Sequence, residues 1–337
     1  MAIQSARKGI PETVAVIGAG LSGLACARTL ADHGVRVRVF DKARGAGGRM
    51  STRRAEKWQF DHGAQYFTVR DPVFARHVES WRRDGLVASW QGTIAVLDSG
   101  NMVIKGDDTE RNVGVPGMNA ICRHLAADLD TVYENRICAL ERTGDRWRLT
   151  TDPGADLGLF DAVVISAPAP QAAALLQEVA PNLAARAAFV EMPPCWAVMA
   201  VFTGRLQLGF DGAFVHKSPL SWVARNGSKP GRPDGEAWVL HASPEWSREN
   251  LELDRIEAAQ RLLEAFAVAA GGLEAAPLHL DAHRWRFALP PDPLAEPCLF
   301  DADLRLAACG DWCGGPRVEG AFLSGVAAAG RLLALPR

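Results

Sequence analysis

No uninterrupted apolar run of about 18 residues, the length a membrane-crossing helix needs, occurs in this 337-residue chain. The two best candidates are broken, one by Glu191 with Pro193 and Pro194, the other by Arg331, so no membrane partner is expected. The opening MAIQSARKGIPE lacks an apolar signal core, and a cytoplasmic address follows. Charge of one sign is missing too. Basic residues number 37 against 39 acidic ones, for a net charge of −2, which argues against a nucleic-acid partner. Cysteine pairing is absent: seven is odd, no spacing marks a redox pair, and reduced thiols are expected. Those seven Cys and the eight His form no recognised ligand set, so no metal is expected. Lysine is scarce at six, and tyrosine scarcer at two. No internal repeat or low-complexity tract occurs.

What is present is a pair of glycine turns near opposite ends of the chain. VAVIGAGLSGLACARTL (14–30) sets Gly18, Gly20 and Gly23 between a buried-strand pattern and a helix that stops at Gly34. Gly18 permits a tight turn, Gly20 lets backbone approach a pyrophosphate, and Gly23 lets helix and strand pack closely. The helix N-terminus offers free N–H groups to phosphate. VRVRVFD then alternates with period two and ends in Asp41, where an acid bonds a ribose hydroxyl and disfavours a ribose phosphate. A solvated strand-end carboxylate is the plain alternative. KARGAGGRM follows, with Lys42, Gly47, Gly48 and Arg49. Two more glycines and a guanidinium fork suit a second phosphate contact, hence a ligand longer than NAD. The second turn, LAACGDWCGGPRVEGAFLSGVAAAGRLL (306–333), leads through Cys309 and Cys313 into a small-residue helix carrying Gly320 and Gly325.

Between the turns, helical patterns cover PVFARHVESWRRDG and 117–129, with strands at 131–138 and RWRLTT. FDAVVISAPAPQAAALL reads as strand, proline turn and helix, and 190–245 is strand-rich. GSKPGRPDGE reads as a polar, proline-broken hairpin or excursion. A helix over 254–270 carries Ile256, Ala259, Leu263 and Phe266 on one stripe, with Gly271 as its stop. The organisation expected is a nucleotide domain from 1–75, 110–170 and 298–337, with a sheet domain from 76–109 and 171–297.

Together GAGLSG, DKARGAGGRM, DHGAQYFTVR and GDWCGGPRVEGAFLSG resemble the flavin-containing amine oxidase superfamily. PPCWAVMAVF, SPLSWVARNGSKP, WVLHASPEWSRENL and HRWRFA are similar to its bacterial renalase branch. The resemblance implies an α/β fold: a Rossmann-like FAD-binding domain of the p-hydroxybenzoate hydroxylase/amine oxidase kind, with an inserted mixed-β-sheet substrate domain. It implies a non-covalent FAD stretched from the first turn to the last. By similarity Gly18, Gly20, Leu21, Gly23, Asp41 and Lys42 hold the adenosine diphosphate half. Gly48, Arg49, Gly63, Ala64 and Gln65 lie along pyrophosphate and flavin, and Ile137 presents backbone to adenine. Asp311 meets the ribityl–phosphate arm, with Arg317 and Val318 at the ring system. The N-terminus of the last helix would face the flavin edge that gains negative charge on reduction.

The renalase branch oxidises dihydronicotinamide isomers of NAD(P)H, those with hydride on the wrong ring carbon, to NAD(P)+. The flavin takes the hydride and O2 reoxidises it, releasing hydrogen peroxide. The implied partners are therefore a small dinucleotide and O2. Such a reaction restores aromaticity and needs no prior proton removal, so stacking of two flat rings supplies most of the catalysis. Amine oxidases of the superfamily use aromatic walls, commonly tyrosine, and a lysine–water contact. Here Tyr133 falls in the strand before the adenine contact, leaving Tyr66, and no lysine matches. Tryptophan also builds such cages, so oxidation of a small amine stands as the alternative. Tyr66, Phe67, Thr68 and Arg70 follow the flavin loop and are the expected substrate residues, Arg70 as phosphate partner or as solvated surface group. Trp196, Trp246 and Trp285 are candidate walls or core. His241 and His283 are weak catalytic candidates, able to bond a carboxamide, to assist oxygen chemistry or simply to hold structure; His62 is similar. The sequence leaves the oligomeric state open.

Overall fold

The computed structural model describes residues 9–106, 108–152, 154–273 and 275–336, so the first eight residues of the opening segment lie outside it. Two compact units emerge: Met1–Gly48, Cys122–Met192 and Leu289–Arg337 form the first, Arg49–Ile121 and Pro193–Ala288 the second. The expected boundaries therefore move. Residues 49–75 and 110–121 belong to the second unit because the hairpin Arg53–Ala55/Trp58–Phe60 packs Phe60 against Met199, Val201, Ala237 and Val239. Residues 171–192 and 289–297 belong to the first, where Ala169 N reaches Met192 Sδ at 3.2 Å and Leu294 N donates to Trp312 O at 2.9 Å.

In the first unit a six-stranded sheet runs Leu299–Asp301, Leu306–Ala308, Ala162–Ile165, Thr13–Ile17, Arg36–Phe40, Asp130–Val132. Its strands are parallel except for Leu299–Asp301. Val14–Ile17 and Ala162–Ile165 are buried throughout, as continuous apolar runs in a covered parallel sheet must be. Thr13–Ile17 and Leu306–Ala308 both run parallel to the strand between them. The two glycine turns thus leave the same carboxyl edge, beside the switch point where such sheets bind ligands. The helices that follow, Leu21–Asp32 and Arg317–Leu333, touch so closely that a Cβ on Gly325 would strike the Ser22 carbonyl. A three-stranded antiparallel sheet, Ile137–Thr143, Arg146–Thr151 and Asp156–Phe160, completes the unit.

In the second unit a mixed seven-stranded sheet runs Pro277–Trp285, Cys195–Phe202, Glu236–Ala242, Leu220–Arg225, Gly212–His216, Ile94–Asp98, Asn101–Ile104. Strand alternation gives it two different faces. Trp196, Val198, Ala200 and Phe202 join the core beneath helix Arg255–Ala269, whereas Met199 and Val201 face Phe60. That helix buries Ala258, Ala259, Leu262 and Phe266, and Ile256 is 59% exposed. The expected stripe is rotated because the helix seats Phe266 on Trp238, with ring centres 5.2 Å apart. The helix expected at 117–129 spans Ala120–Ala126. The amides before it are engaged elsewhere, Met118 N on Asp61 Oδ1 and Asn119 N on Thr52 Oγ1.

Candidate functional site

Strand Thr13–Ile17 ends at Gly18, whose φ of 113° strains any residue with a Cβ. A Cβ there would strike the Ser166 carbonyl, and one on Gly23 the Gly18 carbonyl. Packing inside the protein demands both glycines. Gly20 differs. The nearest atom to a Cβ on it is Gly48 Cα at 4.0 Å, while Gly48, at φ 54°, faces Gly20 Cα at 3.2 Å. The two segments are bridged, Gly47 N donating to Ala19 O at 2.9 Å. The outcome is a cradle of bare backbone that a Cβ would fill and no neighbouring side chain explains. Leu21 is buried behind it. Helix Leu21–Asp32 begins there without a side-chain cap, whereas Asp71, Ser243 and Asp254 cap other helices. Uncapped N–H groups over a side-chain-free surface fit a nucleotide diphosphate.

Asp41 Oδ2 accepts from Ala19 N at 2.6 Å and Oδ1 from Ala43 N at 2.7 Å. The carboxylate braces both loops, and its remaining lone pairs are what a ribose would meet. Asn135 N donates to Asp41 O at 2.9 Å, and buried Ile137 opens the next strand, so the expected adenosine contacts come together. Lys42 beside them is exposed. At the last turn Gly310 N donates to Ser324 Oγ at 3.0 Å, and Asp311 and Val318 are buried. Arg317, exposed, holds a φ of 80° as the first residue of its helix, strain of order 1 kcal/mol that clusters at ligand sites. That helix also lacks a side-chain cap. Cys309 and Cys313 are free, and burial pushes the first thiol to about 12 and the second up as well, so neither supplies a thiolate.

The loop 61–65 belongs to the second unit. Arg49 Nη1 donates to Ala288 O at 2.6 Å, and its carbonyl accepts from Ala64 N at 2.9 Å. Gly63 abuts that carbonyl too closely for a Cβ. Gln65 folds back over its own loop, Nε2 donating to the carbonyls of Asp61 and Gly63. The His62 carbonyl is a hub: Trp285 Nε1 donates to it at 2.9 Å, and His241 Nε2 stands at 3.1 Å. The His62 ring centre lies 4.9 Å from those of His283 and Trp285. Register explains the convergence. Ala197 pairs with His241 on one side and His283 on the other, and Cys195 with Trp285, so all of these point to one face of the sheet. Burial holds the three imidazoles neutral, His62 down at about 3 and His241 and His283 at about 4. His283 and Arg53 add to burial at His62, Lys229 at His241, and Arg53 at His283.

Sequence reasoning missed the charged network behind this loop. The segment GSKPGRPDGE connects the antiparallel strands Leu220–Arg225 and Glu236–Ala242, a hairpin as expected, but its cations are not on the surface: Lys229 is 2% exposed and Arg232 8%. Arg232 donates to Asp61 Oδ2 through Nε at 3.1 Å and Nη2 at 2.5 Å. Lys229 Nζ donates to Gln65 Oε1 at 3.1 Å and stands 3.6 Å from Asp61 Oδ2. Burial works against the Asp61 charge, yet Lys229 and Arg232 hold its carboxyl below the ordinary value. The only sequence signal was the presence of Asp61 and the two cations in otherwise local motifs 164 or more residues apart.

Among the expected substrate residues, half-buried Tyr66 lies 5.5 Å from Trp222 and 6.2 Å from Trp90, ring to ring. Phe67 does not join them: it is buried edge-on against Phe74, its backbone paired with Asn112. Thr68 is half-buried and Arg70 exposed. Trp196 is also corrected. It pairs with Arg284, turns to the opposite face from Trp285, and donates Nε1 to Asn250 O at 3.0 Å within the helix-covered core, where Trp246 also packs. Among the described residues no helix is long and apolar enough to cross a membrane, and no group of three ligating side chains converges for a metal.

Residues 16–82 match the family described as an NAD(P)-binding Rossmann-like domain, and residues 85–333 that described as a flavin containing amine oxidoreductase. The fold is shared with a protein from Exiguobacterium sp. 255-15 assigned as a protoporphyrinogen oxidase: TM-score 0.75, 14% identity, 94% of this chain and 97% of that one. It is shared with putrescine oxidase bound to putrescine: TM-score 0.71, 13% identity, 96% and 99% covered. Cyclohexylamine oxidase from Brevibacterium oxydans IH-35A gives 0.71, with 14% identity and the same coverage. The 4,4'-diapophytoene desaturase of Staphylococcus haemolyticus (strain JCSC1435) is 41% identical over 70 residues, 21% of this chain. The match spans 14% of that desaturase's length. The Rossmann-like domain joined to a mixed-sheet domain is thus the expected architecture.

Proposed function

Because the chain belongs to the flavin containing amine oxidoreductase family, we propose that it is an FAD-dependent oxidase of 2- and 6-dihydronicotinamide forms of NAD(P), yielding NAD(P)+. When bound without a covalent link, FAD would supply the hydride acceptor, and O2 with one proton from solvent would take up the two electrons as hydrogen peroxide. Gly18, Gly20, Leu21, Gly23, Asp41, Lys42, Gly48 and Ile137 are assigned to its adenosine diphosphate half. Asp311, Arg317 and Val318 are assigned to the flavin half. Arg49, Gly63, Ala64 and Gln65 keep the cofactor role that the resemblance gives them.

One observation carries the substrate reading: the imidazole face is neutral and very weakly basic. An alkylammonium ion, with a pKa of about 10, must lose a proton before hydride can leave its carbon. Imidazoles at about 3 to 4 are mismatched to that task by ~8 kcal/mol. A dihydronicotinamide brings no such proton. Neutral imidazoles and the Trp285 ring suit a flat ring with a carboxamide, which needs hydrogen-bond partners and a stacking surface but no counter-ion.

A second reading, oxidation of a small amine, draws on a different group. Burial brings Lys229 down to about 8, so part of it is neutral and basic near pH 7.5. The amine oxidases among the fold relatives favour the same reading. Anaerobic mixing with borohydride-reduced NAD, which contains several dihydro isomers, separates the two. Bleaching of the flavin by the minor isomers, and not by ordinary NADH or by amines, is expected. Bleaching by putrescine or cyclohexylamine alone would move the assignment to the amine.

A further inference from the structure

The imidazoles on this face of the second unit are not equivalent once each hydrogen bond is given a direction. A guanidinium has only donors, a carbonyl oxygen only accepts, and a neutral imidazole has one nitrogen of each kind. His241 Nε2 stands 3.1 Å from the His62 carbonyl, so its proton is on Nε2 and is spent there. His283 differs. Arg53 Nη2 lies 3.3 Å from His283 Nδ1. Since Arg53 can only donate, Nδ1 carries the lone pair and the proton sits on Nε2. Among the described residues that Nε2–H meets no protein acceptor, and His283 is half-buried rather than sealed.

The hairpin Arg53–Ala55/Trp58–Phe60 brings the guanidinium there. Arg53 pairs with Phe60 across it, and Phe60 packs on Met199 and Val201. His279, Asp281 and His283 pair with Val201, Met199 and Ala197, so they line that same face of the sheet. Asp281, the carboxylate of this row, accepts from Ala282 N at 2.9 Å and pairs with Arg255 at 3.3 Å. The His283 ring is held edge to face, its centre 4.4 Å from that of Trp285 and 4.9 Å from that of His62. A carboxylate at Nδ1 would leave the lone pair on Nε2 and make His283 a base. A guanidinium at Nδ1 does the opposite. Nε2 then has no lone pair to take a proton, and the neutral ring can only donate, as imidazoles that bind a carbonyl do.

We propose that Arg53 is a positioning residue that holds His283 in its Nε2–H form, and that this N–H binds the carboxamide oxygen of the substrate; the second part rests on the dihydronicotinamide reading. NMR spectra of the FAD-loaded protein with nitrogen-labelled histidine, at about pH 8 where imidazole is neutral, read the proton's place directly. Loss of a signal set in His283→Gln identifies this ring. The wild type should show Nδ1 bare and Nε2 protonated. Arg53→Lys, which can only donate, should keep that form, whereas Arg53→Glu, which accepts, should move the proton to Nδ1. A proton on Nδ1 in the wild type, or one form shared by wild type and Arg53→Glu, overturns the positioning role. Added nicotinamide should shift the wild-type Nε2 signal, and pyridine, which lacks the carbonyl, should not. Equal shifts, or none, overturn the contact. With dihydro isomers of NAD, Arg53→Glu should raise KM about tenfold at constant kcat, the loss of one hydrogen bond, and Arg53→Lys should keep the wild-type value. An unchanged KM in Arg53→Glu also overturns the contact. If amines alone bleach a wild type whose His283 holds the Nε2–H form, the dihydronicotinamide reading falls while the role of Arg53 stands.

Discussion

Replacing Lys229 by Met tests, through stability, the cost of burying this ammonium beside Arg232 and Asp61. Burial lowers this ammonium from the ordinary 10.5 to about 8, with Arg232 opposing its charge further and Asp61 partly offsetting both. The folded chain therefore binds the proton less tightly than the unfolded chain. Below about pH 8 both states are protonated and the folded state bears the full penalty, of order 3 kcal/mol. As pH rises from about 8 toward 10.5 the folded state releases its proton first, and the penalty fades. Wild-type stability should thus gain ~2.5 kcal/mol between pH 7 and 10 relative to Lys229→Met, which keeps the stem and lacks the charge. Urea midpoints followed by tryptophan fluorescence, at fixed free FAD and across that range, measure the difference. Parallel curves for the two proteins would show that Lys229 titrates normally, and the reasoning from burial would fail.

Two further outcomes follow from the same geometry. Gly20→Val should fold with a near-normal melt but lose its yellow colour, since its side chain enters the cradle and meets no protein atom closer than 4.0 Å at Cβ. Gly325→Val should instead unfold, because its Cβ strikes the Ser22 carbonyl; flavin absorbance and thermal melting of the pair, if they changed together, would contradict the division. The three imidazoles are neutral down to about 4, so kcat/KM for a dihydronicotinamide should stay flat between about pH 5.5 and 7. An acid limb near 6.5 would show that one of them takes up a proton in the working range.

Local features were legible in the linear chain. The Gly18, Gly20, Gly23 spacing, the alternation ending in Asp41 and the small-residue last helix depend on neighbours a few positions apart, where backbone sterics and periodicity act. Both glycine turns were therefore read in place, and the Rossmann-like half with them. Other assignments needed the third dimension. CWAVMAVF is apolar on both faces, so alternation could not say that Trp196 turns toward the helix-covered core and Trp285 toward the His62 carbonyl. Pairing of Cys195 with Trp285 and of Trp196 with Arg284 decided it. Phe67 likewise looked like its neighbour Tyr66 until the pleat sent it toward Phe74.

The sequence by itself determined which segments could become a nucleotide turn, because a bare backbone and a helix start are properties of a few consecutive residues. Only the tertiary structure decided that Lys229 and Arg232, drawn from a stretch rich in proline and glycine, are buried against Asp61 more than 160 positions away. Burial of a charge is settled by whatever the fold packs around it, and no property of the charged residue or its near neighbours carries that information.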